Sequence, residues 1–336
     1  LPTFLLSFLG GCLVTWLAIL VCRRFGVVDV PNERSSHKAA TPRGGGVGIY
    51  SVVLIGIAWF WSQGLLDAPL ALALLAGGCV VVAVGLADDL RGLPVLVRLP
   101  AHLGASGFAA WLILRPVLTF GLAGNVGLLL FGTLFVAWSL NIYNFMDGID
   151  GIAGVQGAFA GLALFLGSAV SGLPGGDSLG LCLLGACLGF LVWNWHPAKI
   201  FMGDAASGFL GFAIGCFALA SAVRSTGLFF TWLIVLGVFT ADSSVTLVTR
   251  LLRGRKVYQA HRSHAYQHLA QKYGNHAIVS VVVAGICLFW LLPMAWLSAT
   301  WRGGGAASSF AIMAAALLPL VVGAIWAGAG RDRSKV

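Results

Sequence analysis

The chain has 336 residues, 59% of them hydrophobic and only 9% charged, with a mean hydropathy of +0.95 and a formal net charge of +9. So few ionic side chains cannot solvate a globular surface, so the composition describes an integral membrane protein and excludes a soluble enzyme, a disordered hub and a disulfide-stapled secreted domain. The seven cysteines lie in or beside apolar runs without CxxC spacing and read as small buried hydrophobes.

In chain order, apolar segments of spanning length occur near 1–22, 45–62, 69–87, 99–115, 126–144, 152–171, 179–195, 207–223, 227–249, 277–297 and 307–328. They predict an all-α polytopic membrane protein with eleven transmembrane helices in a single domain, 1–336. The first segment lacks a basic start and runs into Arg23 and Arg24 rather than a small-residue cleavage site, so it reads as a span and not a signal peptide. Of the 20 Lys and Arg residues, only Arg115, Arg224 and Arg302 fall in loops after even-numbered spans. Basic loops favour the cytoplasm, which predicts an amino terminus outside and a carboxyl terminus inside. Much of the net charge is then topological, with anionic lipids as natural neighbours. The basic residues are scattered over several short loops rather than gathered on one face, which argues against nucleic acid as a partner. The 46 glycines suit close helix packing.

Nine of the eleven acids fall on or nearest the predicted cytoplasmic side, with only Asp67 and Asp177 opposite. A carboxylate at a membrane helix end is costly to bury, which marks it as a functional candidate. Asp88 and Asp89, in loop 88–98, repel each other unless solvated, matched by Arg91 and Arg98, or bridged by a divalent cation. Asn141, Asn144, Asp147 and Asp150 follow at spacings of three in NIYNFMDGIDGIAG, around loop 144–151. Over nine residues such a ladder rotates by about 180° on a helix, so its two ends cannot share a target unless the helix breaks. Gly148 and Gly151 supply that break. Oxygen-only side chains at a loosened helix terminus suit a hard cation and a polar ligand. Asp204, in loop 196–206, opens another span. It can cap that helix, or place a cation and backbone donors beside a phosphate.

The longest basic loop, 250–276, carries His261, Arg262, His264 and His268. It contains no Cys and no acid to complete a zinc site, and a cationic anion clamp fits better. His37, His102, His196 and His276 each stand alone near a helix end and read as interfacial or core histidines. Gly104 to Gly107 spell GxSG, which chance explains in so glycine-rich a chain.

The loop VDVPNERSSHKAATPRGGG, the pair in GLADDLRG, NIYNFMDGIDGIAG, FMGDAASGFLG and HRSHAYQH occur in an order that resembles the polyprenyl-phosphate N-acetylhexosamine-1-phosphate transferases over nearly the whole chain. Within that family the early loop and the histidine loop look most like enzymes that start O-antigen or similar surface polysaccharides. The resemblance implies a Mg2+-dependent enzyme, with Mn2+ as a substitute, in the bacterial inner membrane with its active site facing the cytoplasm. It would transfer a sugar 1-phosphate from a UDP-sugar donor to undecaprenyl phosphate and release UMP. A homodimer is compatible with it.

Carried over residue by residue, the resemblance implies Asp204 and Asn144 as magnesium ligands, and Asp147 and Asp150, with Asn141, as donor-positioning residues. It implies Asp88 and Asp89 for the acceptor phosphate, and His261, Arg262 and His264 for the diphosphate and sugar. Arg34, His37 and Arg43, in loop 23–44, are further anion contacts. Gly92 departs from the acid or lysine found in many relatives, and Ala265 and Tyr266 follow His264 where others have adjacent histidines. A polytopic ion or solute transporter is the rival reading; its acids should lie near the midplane and its halves should repeat.

Overall fold

The computed structural model describes residues 1–29, 40–255, 261–301, 303 and 305–331. Its helices, in chain order, are α1 Pro2–Phe25, α2 Val47–Ser62, α3 Ala68–Arg91, α4 Val95–Val117, α5 Leu122–Met146, α6 Ile152–Ser171 and α7 Gly176–Asn194. There follow α8 Asp204–Arg224, α9 Thr226–Val235, α10 Gly237–Leu252, α11 Ala265–Tyr273, α12 His276–Thr300 and α13 Gly305–Trp326. Two short strands, β1 Val28–Asp29 and β2 Thr41–Pro42, pair antiparallel beside the end of α1.

Every one of the eleven apolar segments carries a helix. Among the described residues, nine helices are long and apolar enough to cross a membrane. The expected span 227–249 is α9 and α10, bent by 78° at Leu236, and the pair would make a tenth. Helix α2 is shorter than the nine, at 16 residues. At the bend, Leu291 and Leu317 pack close to Gly237, where a Cβ would lie 3.0 to 3.2 Å from their side-chain ends. The chain is a multi-pass membrane protein.

Helix α8 is the centre. Nearly all of its length is enclosed, by α3, α4 and α5 on one side and by α9 beyond. Phe209, Phe212 and Phe217 fill the space around it. A second layer runs from α6 through α7 to α1 and α2, and α13 closes the bundle against α9 and α10. Small residues set these distances, as expected where packing rather than water drives helix association.

Helices α3 and α8 run antiparallel, and their ends carry the polar residues. At one end Asp67 meets Arg224 at 3.2 Å, exposed. At the other, Asp88 and Asp89 meet Asp204. Ser106 of the GxSG tetrapeptide lies wholly buried inside α4, which is a packing position.

Candidate active site

The site begins with the contact of α3 and α8. A Cβ on Gly85 would come within 2.4 to 2.5 Å of the Ala205 backbone, so only glycine lets the last turn of α3 lie this close to the first turn of α8. Gly203 adopts φ +86°, the left-handed region, and a Cβ there would sit 2.6 Å from Asp89 Oδ2. The chain therefore turns into α8 with its first amides aimed at Asp89. The Asp204 N–H donates to Asp89 Oδ1 at 2.9 Å and the Ala205 N–H to Oδ2 at 3.3 Å. Asp89 thus caps α8 from a neighbouring helix, where the positive end of the helix favours a carboxylate.

Adjacent residues on a helix point about 100° apart, and the pair divides accordingly. Asp88 turns to the start of the next helix, accepting from the Leu93 N–H at 2.6 Å and pairing with Arg98. It also meets the Asp204 carboxyl. The two carboxylates thus face different partners: Asp89 holds the first turn of α8, and Asp88 the start of α4.

Arg43 ties the cluster together. Its Nε lies 2.8 Å from Asp89 Oδ1 and its Nη2 2.9 Å from Asp204 Oδ1. Backbone bonds place it there: the Phe201 N–H donates to the Pro42 carbonyl at 2.8 Å, and the N–H groups of Gly44 and Gly45 donate to the Phe201 carbonyl at 3.1 and 2.8 Å. The early loop and the FMGD loop are one structure. Arg98 approaches Asp204 from the other side, at 3.8 Å. Sequence reasoning had Arg43 as an outlying anion contact and Arg98 only as a counter-charge, because neither shares a motif with Asp204.

Helix α5 ends at Met146, and α6 begins at Ile152 after Gly151 at φ +82°, so the expected break is present. The Asn144 Nδ2 donates to Ser207 Oγ at 3.1 Å, on the first turn of α8, and among the described residues no donor reaches its side-chain carbonyl oxygen. Asp147 is half-buried, and its carboxyl is pushed up to about 7 by burial first and by Asp204 next. Asn141 stays on its own helix, donating to the Ala137 carbonyl at 2.6 Å, and is not brought to the acids.

Asp150 points elsewhere. Its Oδ2 lies 2.6 Å from His196 Nδ1 and 3.3 Å from His276 Nδ1, and accepts from the Ala198 N–H at 3.2 Å. Burial pushes its carboxyl up, but the two histidine hydrogen bonds outweigh this and hold it below the ordinary value. The reading of His196 and His276 as isolated histidines is corrected: they converge on one carboxylate, 126 residues apart in the case of His276. With Asp150 they form a group of three whose ligand atoms all lie within 4.8 Å of one another. Those atoms already satisfy one another by hydrogen bonding.

The histidine loop docks against the same end. The Tyr266 hydroxyl donates to the Phe145 carbonyl at 3.1 Å, and Gly148 lies under that hydroxyl. His261 is half-buried and stacks on His264, centroids 5.1 Å apart. His264 is itself buried against Asp242. His268 turns away, its Nδ1 3.1 Å from the Ala327 carbonyl. Arg34 and His37 lie outside the described residues.

The donor set fits a divalent cation. Asp88, Asp89, Asp147 and Asp204, when all ionised, outnumber the guanidinium groups of Arg43 and Arg98 that pair with them among the described residues, and Asp204 adds to the burial that pushes the Asp147 carboxyl up. All the free donors are hard oxygens.

Residues 71–222 match glycosyl transferase family 4. The probable undecaprenyl-phosphate N-acetylglucosaminyl 1-phosphate transferase of Bacillus subtilis is 30% identical over 292 residues, covering 83% of this chain and 79% of the relative. The chain belongs to glycosyl transferase family 4. The decaprenyl-phosphate N-acetylglucosaminephosphotransferase of Mycolicibacterium smegmatis is also 30% identical, covering 78% of this chain and 72% of its own. The phospho-N-acetylmuramoyl-pentapeptide-transferase of Acaryochloris marina is 34% identical over 68% of each. The family stretch holds Asp88, Asp89, Arg98, Asn144, Asp147, Asp150 and Asp204; Arg43 and the histidine loop are supplied from outside it.

Proposed function

We propose that this family 4 transferase moves an N-acetylhexosamine 1-phosphate from a UDP-sugar to undecaprenyl phosphate. It releases UMP and leaves an undecaprenyl-diphosphate sugar, the first membrane step of O-antigen or another surface polysaccharide. The observation that carries the reading is the meeting of Asp88, Asp89 and Asp204 around Arg43 and Arg98 at one end of the bundle. A transporter would be expected to hold its acids near the midplane.

In the reaction an oxygen of the lipid phosphate forms a bond to the sugar-bearing phosphorus, and the bond from that phosphorus to the bridging oxygen breaks, so UMP departs with the bridging oxygen. Both substrates are polyanions and repel the carboxylates. Asp204 and the Asn144 carbonyl oxygen would hold Mg2+ or Mn2+, which supplies charge neutralisation and polarises the phosphoryl group. Arg98 and Arg43 keep the carboxylates oriented and offset their charge. Asp88 orients the acceptor phosphate or takes its proton if it arrives protonated. Asp147 faces the donor across the α5–α6 break, while Asp150 acts by fixing the 195–198 turn. His261 and Arg262 approach the donor diphosphate from the docked loop, steadying charge on the departing UMP. The active site faces the cytoplasm, where the nucleotide sugar is made.

The test is the purified protein in nanodiscs with undecaprenyl phosphate, Mg2+ and a panel of radiolabelled UDP-sugars. UMP release with a labelled lipid diphosphate supports the reading and names the sugar. Absence of lipid product with every donor overturns it.

A further inference from the structure

Asp242 belongs to none of the sequence motifs above, yet its carboxylate has four hydrogen-bonding neighbours. It sits in α10 beside Thr240, Ser243 and Ser244 and is 5% exposed. Its Oδ1 accepts from the Ala265 N–H at 2.9 Å and from the Thr246 hydroxyl at 3.1 Å; its Oδ2 accepts from the Tyr266 N–H at 2.9 Å. The fourth neighbour is the Nδ1 of His264, 3.2 Å from Oδ1.

The two amides are the open N-terminus of α11, so part of the role of Asp242 is to cap a helix. Capping alone does not call for the imidazole. A carboxylate is acceptor-only, so its contact with Nδ1 requires the proton to be on Nδ1. That choice leaves Nε2, on the far side of the ring, as the atom available to a ligand. His264 is 3% exposed, and its ring also stands over the start of α11 against the Gln267 N–H, so the Asp242 carboxylate and that N–H compete to set which ring nitrogen carries the proton. Around it the loop is held on every side: His261 stacks on the ring, Tyr266 is bonded to Phe145, and the Gly330 N–H donates to the Ser263 carbonyl at 2.7 Å.

We propose that Asp242 is a positioning residue for His264, fixing the proton on Nδ1 and turning Nε2 toward a phosphate oxygen of the substrate. The inference rests on the sugar-phosphate transfer proposed above, which supplies that oxygen. Carboxylate–imidazole pairs elsewhere act in this way, setting tautomer and ring orientation without touching the substrate.

The experiment compares Asp242→Asn, His264→Gln, the double variant and Thr246→Val in nanodiscs, with 15N spectra of histidine-labelled protein assigned through His264→Gln. A carboxamide cannot accept from His264 and from both α11 amides together. Asp242→Asn is therefore expected to lower kcat/KM by at least about tenfold, and the double variant to lose much less than the product of the two single losses, because what Asp242 does through the imidazole is lost only once. Thr246→Val, which removes a bond to Asp242 without touching His264, is expected to keep wild-type turnover. The spectra are expected to show Nδ1 protonated in the wild type and a mixture in Asp242→Asn.

A double variant whose loss is the product of the two single losses overturns the proposal, as does a wild-type His264 without a proton on Nδ1. If the wild-type protein transfers no sugar phosphate, the proposed function falls, and the 15N spectra still decide the pairing.

Discussion

Replacing Arg43 tests whether the site is assembled by the bridge between α3 and α8. The guanidinium makes two charge-assisted bonds, at 2.8 Å to Asp89 and 2.9 Å to Asp204. Hydrogen bonds to charged groups are worth about 1.5–3 kcal/mol each, so the two amount to roughly 3–6 kcal/mol if fully shielded. The Arg43 side chain is 33% exposed, and exposed pairs rarely exceed about 1 kcal/mol, so a loss near 2 kcal/mol is the figure to test for Arg43→Gln. Arg43→Lys keeps the charge but cannot fork to two carboxylates on different helices, and should lose about half as much. Turnover should suffer more than stability, because Asp204 swings free of the geometry in which it meets Asp88. Unfolding in mixed micelles of rising SDS gives the first quantity, and UMP release from UDP-N-acetylglucosamine the second. If Gln and Lys both match the wild type in stability and rate, Arg43 is a surface cation and the bridge carries no weight.

Asp204→Asn should nearly abolish UMP release while the protein stays folded in detergent, because a carboxamide cannot take part in the charge balance; a wild-type rate removes Asp204 from the site. Gly85→Val should cost about 1–3 kcal/mol as overpacking and inactivate the protein, since the Ala205 backbone in its way cannot rotate aside. Preserved activity would show that the α3–α8 distance is not critical. Asp147 sets a pH dependence. Its folded value of about 7 lies above the ordinary 3.8, so between those values the folded chain keeps a proton that the unfolded chain has released. Without divalent cation, stability should therefore fall as pH rises from about 4 to 7 and then level off. Asp147→Asn should stabilise the protein at pH 8 and leave it unchanged at pH 4, read by SDS unfolding in EDTA; a difference independent of pH refutes the assignment.

Helices and motifs were legible because their signals are local. Hydropathy located every helix but the short polar α11, which lies in the expected loop 250–276, and the glycines at 148 and 151 announced the break that separates Asp147 from Asp150. What stayed hidden is tertiary. No proline marks the bend between Val235 and Gly237, where Leu291 and Leu317 pack close to the glycine. Arg43 looked peripheral because its place depends on backbone bonds to Phe201, far along the chain. His196 and His276 looked solitary because the carboxylate that joins them lies on a third segment. The histidine loop contains no acid, and the acid it uses, Asp242, comes from the preceding membrane helix.

These hidden contacts share one physical logic. A carboxylate at a membrane helix end can be kept ionised only where donors are already in place, and each buried acid here has a fixed set. Asp89 has two amides and Arg43, Asp150 has two imidazoles and an amide, and Asp242 has two amides, a hydroxyl and an imidazole. Asp147 is the exception: among the described residues no donor reaches its carboxylate, and it is the acid pushed farthest toward neutrality outside the spans. An acid with all its donors satisfied is a structural brace, because any ligand must first displace them. An acid left without donors keeps a high affinity for whatever cation or proton arrives. The satisfied acids therefore hold the helices at fixed distances, and that rigidity keeps the unsatisfied one from collapsing onto a neighbour. It is Asp147, one turn after Asn144, that takes up a proton most readily at this end of the bundle.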